Sequence, residues 1–175
     1  MKMTPTISLL ALLCMGTLSS SAQYQKKETL SVTAESERHS TLFAAVKAVE
    51  MDDILEGSGP FTIFAPSNAA FEKFSSAKLK ELMSAKDKSE LKSLLTYHIV
   101  AGNLTASRIL RALCRGKGRA SFTTVQGKKL TAHMEGYDIV LTDPVGNTAR
   151  ITHADLSHGN RVIHEIDSVI LPAQM

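Results

Sequence analysis

Disulfide bridging, a membrane span and a strong net charge are all missing from this chain of 175 residues, and each absence narrows what it can be. Its two cysteines are Cys14 and Cys114. Cys14 lies in an apolar N-terminal run that reads as an export signal, so the exported chain keeps one thiol and closes no internal disulfide. That run, Ile7 to Met15, is shorter than the about 20 residues a transmembrane helix needs. Lys and Arg total 20 against 17 Asp and Glu, scattered among one another. A nucleic-acid-binding protein concentrates its cations on one face, and this pattern excludes such a partner. No G-x-S-x-G elbow is present, and the glycines around Gly57-Ser-Gly59 and Gly116-Lys-Gly118 lack the rest of a phosphate or dinucleotide loop. No catalytic residue and no cofactor follow from the sequence, and there is no internal repeat.

What is present is enough for one globular domain. Hydrophobic residues make up 43% of the chain, which excludes global disorder. Lys2, the run Ile7–Met15 and the small residues Ser20-Ser21-Ala22 form a secretory signal peptide over 1–22, with cleavage expected after Ala22. Acylation of Cys14 is disfavoured, because Leu13 precedes it where a small residue is expected. Removing 22 of the 175 residues leaves 153 and, with Lys2 gone, lowers the net charge of +3 to +2. A domain of that size buries roughly 68–70% of its unfolded surface, so a core alone can stabilise it. The expected protein is secreted or periplasmic, with no transmembrane anchor after cleavage. The oligomeric state is left open.

Residues 23–30 form a polar lead-in. From Ser40, taken as an N-cap, Leu42, Val46 and Val49 recur at helical spacing. Phe61-Thr-Ile-Phe-Ala65 reads as a buried strand closed by Pro66, and Ser67 or Asn68 caps a short helix. Helices follow around Leu79–Met83 and from Asp87, where Glu90 completes a capping box and Leu91, Leu94 and Leu95 face inward. Tyr97-His98-Ile99-Val100 reads as a strand, and Thr105–Leu113 as a short helix. From Ala120 the pattern is β: Phe122–Val125, Lys129–His133, Tyr137–Leu141, Thr148–Thr152 and Val162–Ile166. Helices first and strands later, without regular βαβ alternation, predict an α+β domain with a mainly antiparallel sheet.

Three boxes in register carry a resemblance. Ser40–Val46 leads through Gly59-Pro-Phe-Thr-Ile-Phe-Ala-Pro-Ser-Asn-Ala-Ala-Phe71; Leu91–Gly102 contains Leu94-Leu-Thr-Tyr-His-Ile-Val; and Ala154-Asp155 leads into Asn160-Arg-Val-Ile-His-Glu-Ile-Asp-Ser-Val-Ile-Leu-Pro172. Together they resemble the fasciclin (FAS1) domain family over residues 31–172, leaving 173–175 as a tail. His39 and Arg161 depart from the pattern, standing where a bulky apolar residue and a glycine are more usual. The resemblance implies a fasciclin-like α+β fold and a non-enzymatic adhesion module for a cell-surface or extracellular-matrix protein or a polysaccharide. It also implies that Tyr97 and His98 bind a partner, since that motif is linked in animal relatives with integrin binding.

The residues themselves give plainer readings alongside. His98, between Leu95 and Ile99, reads as a hydrogen-bonded structural histidine. His153, Asp155, His158 and His164 are the one metal-like cluster; their spacing fits no ligand pattern, and a solvated turn accounts for them. A small-ligand or metal-binding protein using the His153–His164 region is therefore the alternative function. Arg111, Arg115, Lys117 and Arg119 read as a solvated loop, or as a patch for an anionic glycan or a membrane surface. Cys114 reads as an exposed or half-buried thiol, with an intermolecular disulfide as the sharper alternative. Asn103-Leu-Thr105 is a glycosylation sequon, relevant in a eukaryotic secretory pathway.

Overall fold

The structure is a computed structural model that describes residues 37–51, 60–158 and 161–173, without the side chains of 157 and 158. The signal peptide, the lead-in, the start of the domain at residue 31 and residues 174–175 lie outside the described residues.

The chain opens with α1 (Ser40–Ala48), which buries Ala45 and Val46. Ser40 does not cap this helix, and neither does the side chain of His39 before it. The cap comes from Asn68, whose Oδ1 accepts from Thr41 N at 3.1 Å while its Nδ2 donates to Glu37 O at 2.9 Å. Local sequence could not reveal it, because the capping residue lies after the next strand. Asn68 also opens α2 (Asn68–Lys73), so the two helix starts are tied together. Ser67 Oγ caps α2 through Ala70 N, as expected.

Between them runs β1 (Phe61–Pro66), and α3 (Ser76–Ser84) and α4 (Ser89–Tyr97) follow α2. The expected strand at Tyr97 is corrected here: α4 runs through Tyr97, and His98 is its C-cap. The His98 ring reaches back to Leu94 O at 2.8 Å and so satisfies a carbonyl that the helix end leaves open. The strand β2 (Ile99–Ala101) starts only after that cap.

Next comes α5 (Ala106–Arg115), capped by Thr105. It contains Arg111, as the expected helix does, and runs two residues past Leu113, so that Arg115 is helical and not part of a loop; Arg, Ala and Leu all favour a helix. It stops at Gly116, where an added Cβ would lie 1.8 Å from Arg119 O. The rest is β: β3 (Arg119–Thr123), β4 (Lys129–Glu135), β5 (Asp138–Thr142), β6 (Thr148–His158) and β7 (Arg161–Ile166). Tyr137, expected in a strand, sits fully exposed in the turn between β4 and β5.

The seven strands form one sheet in the order β2-β1-β7-β6-β5-β4-β3. Within it β1 and β7 pair parallel and the other neighbours antiparallel. The two edges almost meet, since Val100 bridges Thr124 and Val125 N donates to Ile99 O at 2.7 Å. The sheet therefore wraps nearly into a barrel, which protects its edges from other chains. This is the predicted α+β class. One apolar cluster joins Phe64, Tyr97, Leu130, Leu141 and Ile166 to Ile109 and Leu113 of α5. A second joins Val46, Phe71, Leu82, Leu91 and Leu95 of the first four helices. Strand alternation serves both: Phe64 faces the first cluster, and Ile63 packs against the second.

Candidate functional site

Tyr97 and His98 lie in the interior, at 0% and 3% exposure. His98 Nδ1 donates to Leu94 O, and Nε2 accepts from Ile170 N at 3.3 Å. Both ring nitrogens are thereby used by the neutral imidazole. Burial pushes its pKa down to about 4, against the opposing pull of Leu94 O and Asp143. Tyr97 Oη donates to Lys129 O at 2.8 Å, and burial, with the charge of Asp143, pushes its hydroxyl up to about 12. The pair thus binds α4 to β4 and to the C-terminal segment, and neither side chain reaches the surface in this conformation. Asp143 works beside them, accepting from Asn147 N at 2.8 Å and from Leu171 N at 2.8 Å.

The residues of the His153–His164 region are shared among separate structural tasks. His164 is fully buried, stacks on Phe64 with centroids 5.6 Å apart, and donates from Nε2 to Leu104 O at 2.7 Å. Its Nδ1 accepts from Asp155 N at 3.2 Å. Burial holds its pKa below the ordinary histidine value, although Leu104 O and Asp155 pull the other way. Asp155 sits in the irregular stretch of β6, at φ 58°, and its Oδ1 accepts from Ala106 N at 2.8 Å. That places a carboxylate at the N-terminus of α5, where the helix dipole favours it.

His153 turns elsewhere, to Glu165 Oε1 at 2.9 Å. Thr152 donates to the same oxygen at 3.0 Å, and Arg38 and His39 approach Oε2 at 3.4 and 3.5 Å. Burial alone would raise the Glu165 pKa. The hydrogen bonds from Thr152 and His153 and the charges of His153 and Arg38 outweigh it and hold the carboxyl below its usual range. The side chain of His158 lies outside the described residues. Among the described residues no three His, Cys, Asp or Glu side chains converge as metal ligands would.

The third candidate is built differently. Arg108, Arg111 and Arg115 fall on one stripe of α5, opposite the buried Ile109 and Leu113. Lys117 and Arg119 follow beyond the end of the helix, and all five cations are exposed. Among the described residues none of them forms an ion pair. Beneath the arginines lies a cleft of about 450 Å³ with an apolar floor of Leu104, Ala112 and Phe122. Arg108 lies outside the basic run that begins at Arg111 in the sequence; the i, i+3, i+7 spacing of the three arginines is the signal that joins it to them. Cys114 is exposed on the same helix and free. Forked guanidinium donors around an apolar floor suit a ligand that carries carboxylate or sulfate groups on a flat carbon skeleton.

Comparison with known proteins adds the family context. A family model described as the fasciclin domain matches residues 37–172. Protein sll1483 of Synechocystis sp. is 36% identical over 141 residues, covering 81% of this chain and 71% of that protein. The cell surface glycolipoprotein MPB83 of Mycobacterium bovis is 33% identical over 124 residues, or 71% of this chain and 49% of that one. The transforming growth factor-beta-induced protein ig-h3 of Sus scrofa is 33% identical over 133 residues, 75% of this chain but 17% of that protein. Among solved structures, a FAS1 domain pair from the insect cell adhesion molecule fasciclin I superposes with a TM-score of 0.55 at 23% identity. That match covers 74% of this chain and 45% of that one, and it speaks for the fold. Among the described residues no helix is long and apolar enough to cross a membrane.

Proposed function

The chain belongs to the fasciclin domain family, and from that premise we propose that it is an extracytoplasmic adhesion module whose contact surface is the arginine stripe of α5. It acts by binding and not by catalysis. The partner is an anionic polysaccharide, with uronate or sulfate groups on Arg108, Arg111 and Arg115 and sugar faces against Phe122. The observation that carries this reading is the group of exposed cations, without counter-ions among the described residues, above an apolar floor. Ion pairs at a surface are weak one by one, so a repeating polyanion that engages several at once suits the geometry better than a single small anion. The adhesion named for the insect protein supports the class of function. Tyr97 and His98 contribute to it by holding α4, β4 and the C-terminal segment together.

The test is a titration of the protein with polygalacturonate, with a neutral glucan and with anionic lipid vesicles at rising salt. Binding to polygalacturonate alone, weakening steeply with salt as exposed charges are screened, is expected. Equal binding to the neutral glucan, or binding confined to the vesicles, would overturn the assignment.

A further inference from the structure

A second feature of the molecule is an apolar cavity of about 200 Å³ between α1 and the faces of β1 and β7 that look away from Phe64. Phe43 and Val46 of α1, Leu95 of α4, and Ile63 and Ile163 form much of its wall. Those two isoleucines are direct partners in the parallel β1–β7 pair. Three polar side chains reach the cavity: His39, His98 and Arg161. His98 has both nitrogens engaged by backbone, and His39 faces Glu165. Arg161 differs from both, because its Nε is buried and, among the described residues, has no hydrogen-bond partner. The buried carboxylate of the region, Glu165, is taken up by Thr152, His153 and Arg38, and so does not serve as its counter-ion.

A guanidinium nitrogen withdrawn from water without a partner is costly, and an apolar cavity beside it gives the missing partner a hydrophobic body. We propose that this cavity binds a medium-chain aliphatic monocarboxylate, its carboxylate on Arg161 and its chain along Val46, Leu95, Ile63 and Ile163. An engineered apolar cavity of about 150 Å³ holds one benzene, so by proportion this one takes a chain of about eight carbons. Phe43, still 44% exposed, lies at the cavity's edge, where the end of a longer chain would emerge. The site is separate from the arginine stripe of α5 and does not depend on the polysaccharide reading.

The experiment is a titration of the full chain with octanoate and with 1-octanol, followed by calorimetry and by NMR contacts from the ligand chain to protein methyl groups. Octanoate is expected to bind at least about tenfold tighter than octanol, a factor one charge-assisted hydrogen bond supplies, and to contact Val46 and Ile163. Arg161→Gln is expected to bring octanoate down to the level of octanol and leave octanol unchanged. Ala65→Leu, which adds bulk to the cavity wall, is expected to weaken both ligands, with its melting temperature confirming the fold. Absence of octanoate binding, contacts elsewhere on the protein, or an Arg161→Gln variant that keeps the preference for carboxylate would each overturn the proposal.

Discussion

The histidine joint around His98 and His164 and the arginine stripe of α5 treat their polar groups in opposite ways. In the joint the polar atoms are spent on the backbone: His98 on Leu94 and Ile170, His164 on Leu104 and Asp155, Tyr97 on Lys129. On the stripe, Arg111 and Arg115 are exposed and form no ion pair among the described residues, and the same holds for Lys117 and Arg119 just beyond it. The residue types with the richest chemistry are consumed in making the fold, and the plain cations are left in solvent. Burial separates the two cases. A buried imidazole must be matched with hydrogen bonds, whereas an exposed guanidinium is already matched by water and can exchange that water for an anion.

The comparison can be broken at the joint first. His98→Ala leaves a cavity, an open Leu94 carbonyl and an open Ile170 amide, and should cost about 3 kcal/mol of stability in denaturant unfolding. A loss below about 1 kcal/mol would mean that the imidazole is not the tie described here.

Acid provides a second probe of the same atom. The unfolded chain protonates His98 from about 6.5 downward, while the folded state resists until about 4. The contribution is therefore whole above pH 6.5 and drains away as the pH falls toward 4, by about 3 kcal/mol in all. His164 acts in the same direction, and the lowered Glu165 carboxyl adds its own loss once the pH drops below its ordinary value. Denaturation midpoints taken across pH 7 to 4 check this. A His98→Gln variant should show a flatter profile, and an unchanged slope would contradict the assignment.

Tyr97→Phe removes one hydroxyl and leaves Lys129 O without it, a loss of about 1 kcal/mol in the same assay. Binding to polygalacturonate should be unaltered, since the ring stays inside. Altered affinity in a fully folded Tyr97→Phe protein would restore that residue as a contact. At the far end of the scale stands Arg111→Gln/Arg115→Gln, where stability should move by less than about 0.5 kcal/mol because exposed, unpaired cations stabilise little.

The legible parts of the fold are those with local punctuation. The bounds of β1 follow from Pro60 before Phe61 and from Pro66 at its end, and the start of α2 follows from Ser67. The three boxes in register made the fold family readable as well. Features set by distant contacts were hidden. The cap of α1 is Asn68 and not Ser40, and the parallel partner of β1 is the last strand of the chain. Tyr97 reads equally well as the end of a helix or the start of a strand until Leu94 O is seen to need the His98 ring. The same holds for the candidate site. Tyr97 and His98 stand out in the sequence, but Ile170 and Lys129, which decide what they do, lie far along the chain. The arginines were visible as a basic run; their alignment became clear only once α5 was seen to continue to Arg115.

The most direct test of the central claim is the affinity for polygalacturonate of Arg111→Glu/Arg115→Glu, measured beside Tyr97→Phe at one salt concentration. The account predicts at least about a tenfold loss for the arginine variant with an unshifted melting temperature, and no loss for Tyr97→Phe. Retained affinity in the folded arginine variant would contradict it.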